Sequence, residues 1–276
     1  MNIAGREIGP GEPVYIVAEV GGNHGGNIAV AEQILLAAQA AGADAVKMQT
    51  YVPEDFAKPG DGRYALYERA AMPLYMQTQL AVRAKSCGMT LFSTPGREWA
   101  VDWLEENIDP PAYKISSTSC TNLSLIRRCR DTGKPLIIST GACESDEIIK
   151  TICAVQDVES DVAMLVCTAS YPCYPAEVNL GRVRMFLRTV GFSDHSPRYL
   201  GSVAAVAAVA IGATIIEKHV MLDTETAIDA EVSLDMEEFA DYVRDIRAAE
   251  QMLGSEFGPL PCEEPVLWLK EMLRSD

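Results

Sequence analysis

Eight short apolar runs recur along the chain, each followed by a longer stretch with helical spacing, and this alternation constrains the fold more than any other feature. The runs are Tyr15–Glu19, Ala45–Gln49, Thr90–Ser93, Ala112–Ser116, Leu136–Ser139, Val162–Cys167, Val190–Ser193 and Thr214–His219. Each is brief and rich in Val, Ile, Leu or Ala, as strands buried on both faces must be. Between them the spacing predicts helices over Ala29–Ala41, Leu74–Cys87, Glu98–Asn107, Leu123–Thr132, Ser145–Val155, Leu180–Arg188 and Leu200–Ile211, with a last one over Met236–Leu253. Gly42, Gly88, Gly133, Gly212 and Gly254 fall where these helices should stop, and Asn122 and Ser145 read as N-caps. Eight β-then-α units in series predict one α/β domain, a closed (β/α)8 TIM barrel, over residues 1–255. The alternative, an open doubly wound sheet, lacks its GxGxxG turn at the first helix. Residues 1–13 read as an irregular cover over the barrel's bottom, and 256–276 as a tail with at most one short helix.

Composition narrows the function. The 276 residues are 48% hydrophobic, enough for a large core, and the formal charge is −16. That charge argues against nucleic acid and anionic membranes, which need clustered Lys and Arg. The longest apolar stretch, Val203 to Ile211, is too short to span a bilayer. The N-terminus has no apolar signal region, and the eight cysteines form no CxxC pair. They read as reduced packing thiols in a cytoplasmic protein.

Barrel enzymes carry their sites at the C-terminal ends of the strands. All three histidines, His24, His195 and His219, lie at or just after strand ends, and Lys47, Lys114 and Lys218 interrupt apolar strands. A lysine in a buried strand is costly unless its charge is met. Strand parity sorts these residues. Lys47 shares a face with Gln49, Ser193 with His195, and Glu217 with His219. If those faces line the barrel mouth, two imidazoles meet on adjacent strands and suit a divalent cation. Lys218 then points outward or to the rim. Ser117, Ser139 and Ser193 follow strands and could hold a phosphate. The Gly21–Gly26 loop is either a flexible turn or a place where backbone approaches a ligand.

The motifs together resemble the sialic acid synthase family, the N-acetylneuraminate and related nonulosonate synthases. They are IVAEVGGNHGG from Ile16, AGADAVKMQTY from Ala41, FSTP from Phe92, AYKISS from Ala112, TNLSLIR from Thr121, TGKPLIISTG from Thr132, CTASYPCYPAEVNL from Cys167, GFSDHS from Gly191 and GATIIEKHVMLD from Gly212. The resemblance implies a synthase that condenses phosphoenolpyruvate with an aldehyde sugar, an N-acetylmannosamine-like or other aldose. It implies that Lys47, Lys114, Ser117, Ser139 and Ser193 hold phosphoenolpyruvate. His195 and His219 would bind the metal, Mn2+ by preference with Mg2+ or Co2+ as alternatives. Glu19 would stand at the reacting centre, with Gln49, Tyr171 and Asp229 near the metal and sugar.

Several positions depart from the family. Ala230 stands where it has a histidine, and Ser119 where many members have a glutamate. The segment Ser196–Tyr199 is longer than usual. The antifreeze-like domain that follows the barrel in the family is not expected in this chain, so the arginine that this domain supplies to the sugar is expected from elsewhere, from Arg198 or a separately encoded cap protein, or the acceptor differs. A homodimer is expected by analogy. The alternatives are a degenerate phosphate- or sugar-binding barrel and a metal-dependent pyruvate aldolase, which releases no phosphate.

Overall fold

The computed structural model describes residues 1–155, 162–186, 189–222, 227–254 and 260–274. The chain opens with an antiparallel hairpin, β1 (Asn2–Ile3) and β2 (Arg6–Glu7), where an irregular cover was expected. The hairpin forms because Ala4 and Gly5 both adopt positive φ, giving a tight reversal. Eight parallel strands follow: β3 (Tyr15–Glu19), β4 (Ala45–Thr50), β5 (Thr90–Pro95), β6 (Tyr113–Ile115), β7 (Leu136–Ser139), β8 (Val162–Val166), β9 (Val190–Asp194) and β10 (Ile215–His219). They pair in that order, and β10 pairs back onto β3, closing the predicted barrel.

The helices are α1 (Ile28–Ala41), α2 (Tyr64–Ala70), α3 (Leu74–Cys87), α4 (Glu98–Asn107), α5 (Leu123–Arg130), α6 (Ser145–Ala154), α7 (Val203–Ala210), α8 (Met236–Leu253) and α9 (Glu264–Met272). Gly42 and Gly88 end α1 and α3 in the left-handed conformation, and Asn122 caps α5 through its side chain. Ser145 is not a cap. Glu144 holds that position, because the Glu147 carboxylate reaches back to its N–H, and Ser145 becomes the first helical residue. The helix expected at Leu180–Arg188 is a 3-10 stretch over Leu180–Met185 that follows Asn179 in the left-handed conformation, and Arg188 lies outside the described residues. Gly201, at φ 53°, breaks the helix expected from Leu200, so α7 starts at Val203. Helix α2 was not foreseen, since 7 residues give too little periodicity to read. The expected tail includes residues 256–259 and 275–276, which lie outside the described residues; within it, α9 is the one short helix anticipated. Among the described residues no helix is long and apolar enough to cross a membrane.

The core has two layers. Outward-facing strand residues such as Ile16, Ala18, Val46 and Ile138 pack against the helices. Inward-facing Tyr15, Val17, Ala45, Phe92, Ala112, Ile137, Leu165 and Ile215 fill the lower lumen, joined by Ile3 and Ile8 of the hairpin. The hairpin thus plugs the bottom of the barrel with apolar side chains. Arg6 anchors it from outside, over the Tyr15 ring and in an ion pair with Asp44.

Candidate active site

One step further along the same inward faces, the lumen turns polar. Glu19, Lys47, Lys114, Ser139, Ser193 and Glu217 are all at most 3% exposed, and they line a cavity of about 400 Å3 at the C-terminal ends of the strands. Lys47 Nζ lies 2.7 Å from Glu19 Oε2 and 3.7 Å from Glu217 Oε2, and donates to Thr94 Oγ1 at 3.0 Å. Lys114 Nζ donates to Glu217 Oε1 at 3.2 Å, and Ser193 Oγ donates to the same oxygen at 2.9 Å. Gln49 Nε2 donates to Glu19 Oε1 at 2.8 Å. Two ammonium groups and two carboxylates therefore meet where no bulk water screens them, and each charge is met as burial demands. Burial alone would raise the Glu217 carboxyl, but Lys114 and Lys47 outweigh it and hold it at about 2. Burial lowers Lys114, with Glu217 opposing, whereas the two carboxylates overcome burial at Lys47 and raise it.

The imidazoles stand above this tetrad. The His195 and His219 ring centroids are 5.7 Å apart, with Tyr171 4.2 Å and 5.5 Å from them. His195 Nδ1 donates to the Thr168 carbonyl at 2.8 Å, which leaves the Nε2 lone pair facing the cavity, where the Tyr171 hydroxyl reaches it at 3.0 Å. Burial, then His219, depresses His195 to about 4, so it is a neutral imidazole at pH 7. His219 Nδ1 is buried without a hydrogen bond and lies 3.3 Å from Asp229 Oδ2. Among the described residues no three His, Cys, Asp or Glu side chains form a ready-made cage. The His195 and His219 imidazoles, the latter with a nitrogen free of hydrogen bonds, and an adjacent carboxylate nonetheless fit a divalent cation that takes its other ligands from water and substrate.

Ser139 Oγ is also buried without a partner. Ser117 Oγ accepts from Gly141 N–H at 3.1 Å and lies 2.9 Å from Cys167 Sγ. Ten of the eleven predicted site residues thus line the one cavity, and the eleventh, Asp229, sits against His219. Ser119 also lines it. His24 is not brought in: its Nδ1 accepts from Gly26 N–H and shapes the glycine turn. The start of the Gly21–Gly26 loop packs on protein. A Cβ at Gly21 would lie 3.3 Å from Asp229 Oδ2, and one at Gly22 would lie 2.9 Å from both Ala70 and Ile228. Lys218 points out of the lumen as parity required, yet it is fully buried: its Nζ donates to Ser196 O at 2.9 Å and faces Asp194 at 3.6 Å, while Tyr242 donates to Asp194 at 3.0 Å. Arg198 does not reach the mouth. Its guanidinium is held by Glu238 and Asp235 at the start of α8. Glu217 was given no role from sequence, though it shares the parity of His219 and bridges both lysines.

The model of the NeuB family matches residues 34–257. The chain belongs to the NeuB family. A pseudaminic acid synthase of Campylobacter jejuni is 38% identical over 95% of this chain and 80% of its own length. An N,N'-diacetyllegionaminic acid synthase of Legionella pneumophila is 32% identical over 91% of this chain and 77% of its own. The crystal structure of an N-acetylneuraminic acid synthetase from Leptospira borgpetersenii, in complex with citrate, superposes with a TM-score of 0.93 at 29% identity, covering 100% of this chain and 98% of that one. The polar end of this NeuB-family barrel therefore lies on a fold shared through its whole length.

Proposed function

We propose that this protein condenses phosphoenolpyruvate with the aldehyde of an open-chain sugar, giving a 2-keto-3-deoxy sugar acid and inorganic phosphate. Its family makes it a phosphoenolpyruvate-dependent synthase that forms a carbon–carbon bond. The observation that carries the reading is the joining, in one cavity, of two buried lysines with two buried imidazoles. A small trianion needs the first pair and an aldehyde oxygen needs what the second pair holds.

In this reading Lys47 and Lys114 receive the donor's carboxylate and phosphate, and the hydroxyls of Ser117, Ser139 and Ser193 donate to its oxygens. C3 of phosphoenolpyruvate attacks the aldehyde carbon, and positive charge develops at C2. Glu19, steadied by Gln49, faces that charge and orients the water that adds to C2. The C2–O bond to phosphorus then breaks and phosphate leaves. His195, His219 and Asp229 would hold a divalent cation, Mn2+ by preference. When bound, it supplies Lewis-acid polarisation of the sugar carbonyl. Tyr171 keeps the His195 ring in place.

The test is phosphate release from phosphoenolpyruvate and Mn2+ across a panel of aldoses that includes N-acetylmannosamine. Release that depends on the aldose, with keto-acid formed in equal amount, is expected. Keto-acid formed from pyruvate without phosphate would favour the aldolase, and no release across the panel would favour a binding barrel. His195→Ala is expected to lower bound metal, read by elemental analysis, and to abolish turnover.

A further inference from the structure

The two imidazoles stand one residue beyond the last rung of the ladder that joins their strands. β9 pairs with β10 as far as Asp194 opposite Lys218, and with β8 only as far as Phe192. His195 therefore lies past both ladders, where strand pairing no longer fixes its backbone. That last rung is itself a charge pair on the outer side of the sheet. Lys218 and Asp194 point out of the lumen because their neighbours His219 and His195 point in. Both side chains are fully buried, with Nζ 3.6 Å from Oδ2, and the mechanism uses neither.

Between them they hold Ser196, the residue after His195, by both of its backbone groups. Asp194 Oδ1 accepts from Ser196 N–H at 2.8 Å, and Lys218 Nζ donates to Ser196 O at 2.9 Å. Tyr242 of α8 donates to Asp194 Oδ2 at 3.0 Å, and its ring stacks on Phe239 with centroids 6.1 Å apart. The chain beyond is fastened to the same helix. Arg198 pairs with Asp235 and Glu238 at its start, and Ser202 Oγ donates to Asp245 at 2.6 Å. A buried ion pair is a costly way to stabilise a fold, since well-packed apolar residues often serve as well or better. Here it does what apolar residues cannot. It supplies a backbone turn past the end of the ladder with one acceptor and one donor in fixed places.

We infer that Lys218, Asp194 and Tyr242 are positioning residues: acting through the Ser196 backbone from outside the barrel, they fix the spacing and aim of His195 and His219, so that the cation site is preformed. This rests on the proposed cation site. The 5.7 Å between the two rings is then set from the other side of the sheet. Groups behind a metal ligand that fix its orientation govern metal affinity as well as the ligand's place.

The experiment titrates Mn2+ into folded protein without substrates and reads free Mn2+ by its EPR signal. Wild type, Lys218→Met, Tyr242→Phe and Ile3→Ala are compared at a temperature where circular dichroism shows each to be folded. Ile3 lies in the apolar plug at the barrel's other end, so its variant controls for lost stability alone. Lys218→Met is expected to raise the Mn2+ Kd about tenfold and Tyr242→Phe about threefold. The Ile3→Ala Kd should stay at the wild-type value, and the phosphoenolpyruvate KM at saturating Mn2+ should not change in any variant. A Kd unchanged in both Lys218→Met and Tyr242→Phe, or raised as much by Ile3→Ala as by Lys218→Met, overturns this inference and leaves the cation site standing. Should Lys218→Met fail to fold, the Tyr242→Phe Kd against that of Ile3→Ala decides in its place. Wild-type protein that binds no Mn2+ overturns the cation reading and the inference together.

Discussion

The two ends of this barrel are built on the same strands and do opposite things. At the bottom, inward Val17, Ala45, Ala112, Ile137 and Ile215 pack with the hairpin's Ile3 and Ile8. Two residues on, the same faces carry Glu19, Lys47, Lys114, Ser139 and Glu217, all buried and lining the cavity. One step of strand parity, about 6.6 Å, separates an apolar plug from a charged chamber. The lesson is a division of labour by layer. The lower layer is continuous hydrophobic core, and it stabilises a scaffold on which the upper layer can hold four charges away from water at a desolvation cost.

This contrast can be broken from either end. The largest effect is expected at the top: Lys47→Ala should lower kcat/KM about a thousandfold, or about 4 kcal/mol of transition-state stabilisation, measured by phosphate release on folded protein. Near-normal turnover would remove Lys47 from the site. Next, Lys218→Met leaves Asp194 as a fully buried charge without its cation and should cost about 3 to 5 kcal/mol of stability in denaturant unfolding. A loss under 1 kcal/mol would show that Tyr242 and the Ser196 N–H suffice for Asp194. At the bottom, Ile3→Ala should cost about 2 to 5 kcal/mol while leaving the phosphoenolpyruvate KM unchanged. A shifted KM there would mean that the two layers are mechanically coupled.

The smallest effect concerns acid. Burial lowers His24 from 6.5 to about 4 in the folded protein. The unfolded chain therefore binds the proton first, so stability is complete above about pH 6.5 and falls toward pH 4. At pH 5 this one residue should cost about 2 kcal/mol. His24→Asn should flatten that part of the stability-versus-pH curve, and an unchanged slope would assign the acid limb to other groups.

The sequence made most of this layering readable. Apolar runs and glycine stops placed all eight strands within about two residues, because buried parallel strands have a distinct composition. Parity then put Lys47 with Gln49, and Glu217 with His219, on the lumen side. What stayed hidden depended on distance across the chain. Nothing near Glu217 says that it bridges Lys47 and Lys114, since those partners come from strands far off in sequence. Lys218 read as outward, but its burial required knowing that Tyr242 of α8 packs over it. The ring cluster of Tyr51, Phe56 and Tyr67 was illegible because Phe56 sits outside any regular period and Tyr67 on α2, which is too short to show one.

Asn23 joins the beginning of the barrel to its end. Its side-chain amide donates to Val220 O at 2.9 Å and Ser233 Oγ at 2.8 Å, and its carbonyl oxygen accepts from Asp229 N–H at 3.0 Å. The side chain at the heart of a loop made early in synthesis is therefore clasped by residues made some two hundred positions later. While the ribosome is still extending the chain, the seam between β10 and β3 stays open and Asp229 has no fixed post beside His219. Translation must pass residue 233 before the chamber exists, so a stalled or prematurely released chain would carry most of the lysines and serines of the site and still have no working pocket.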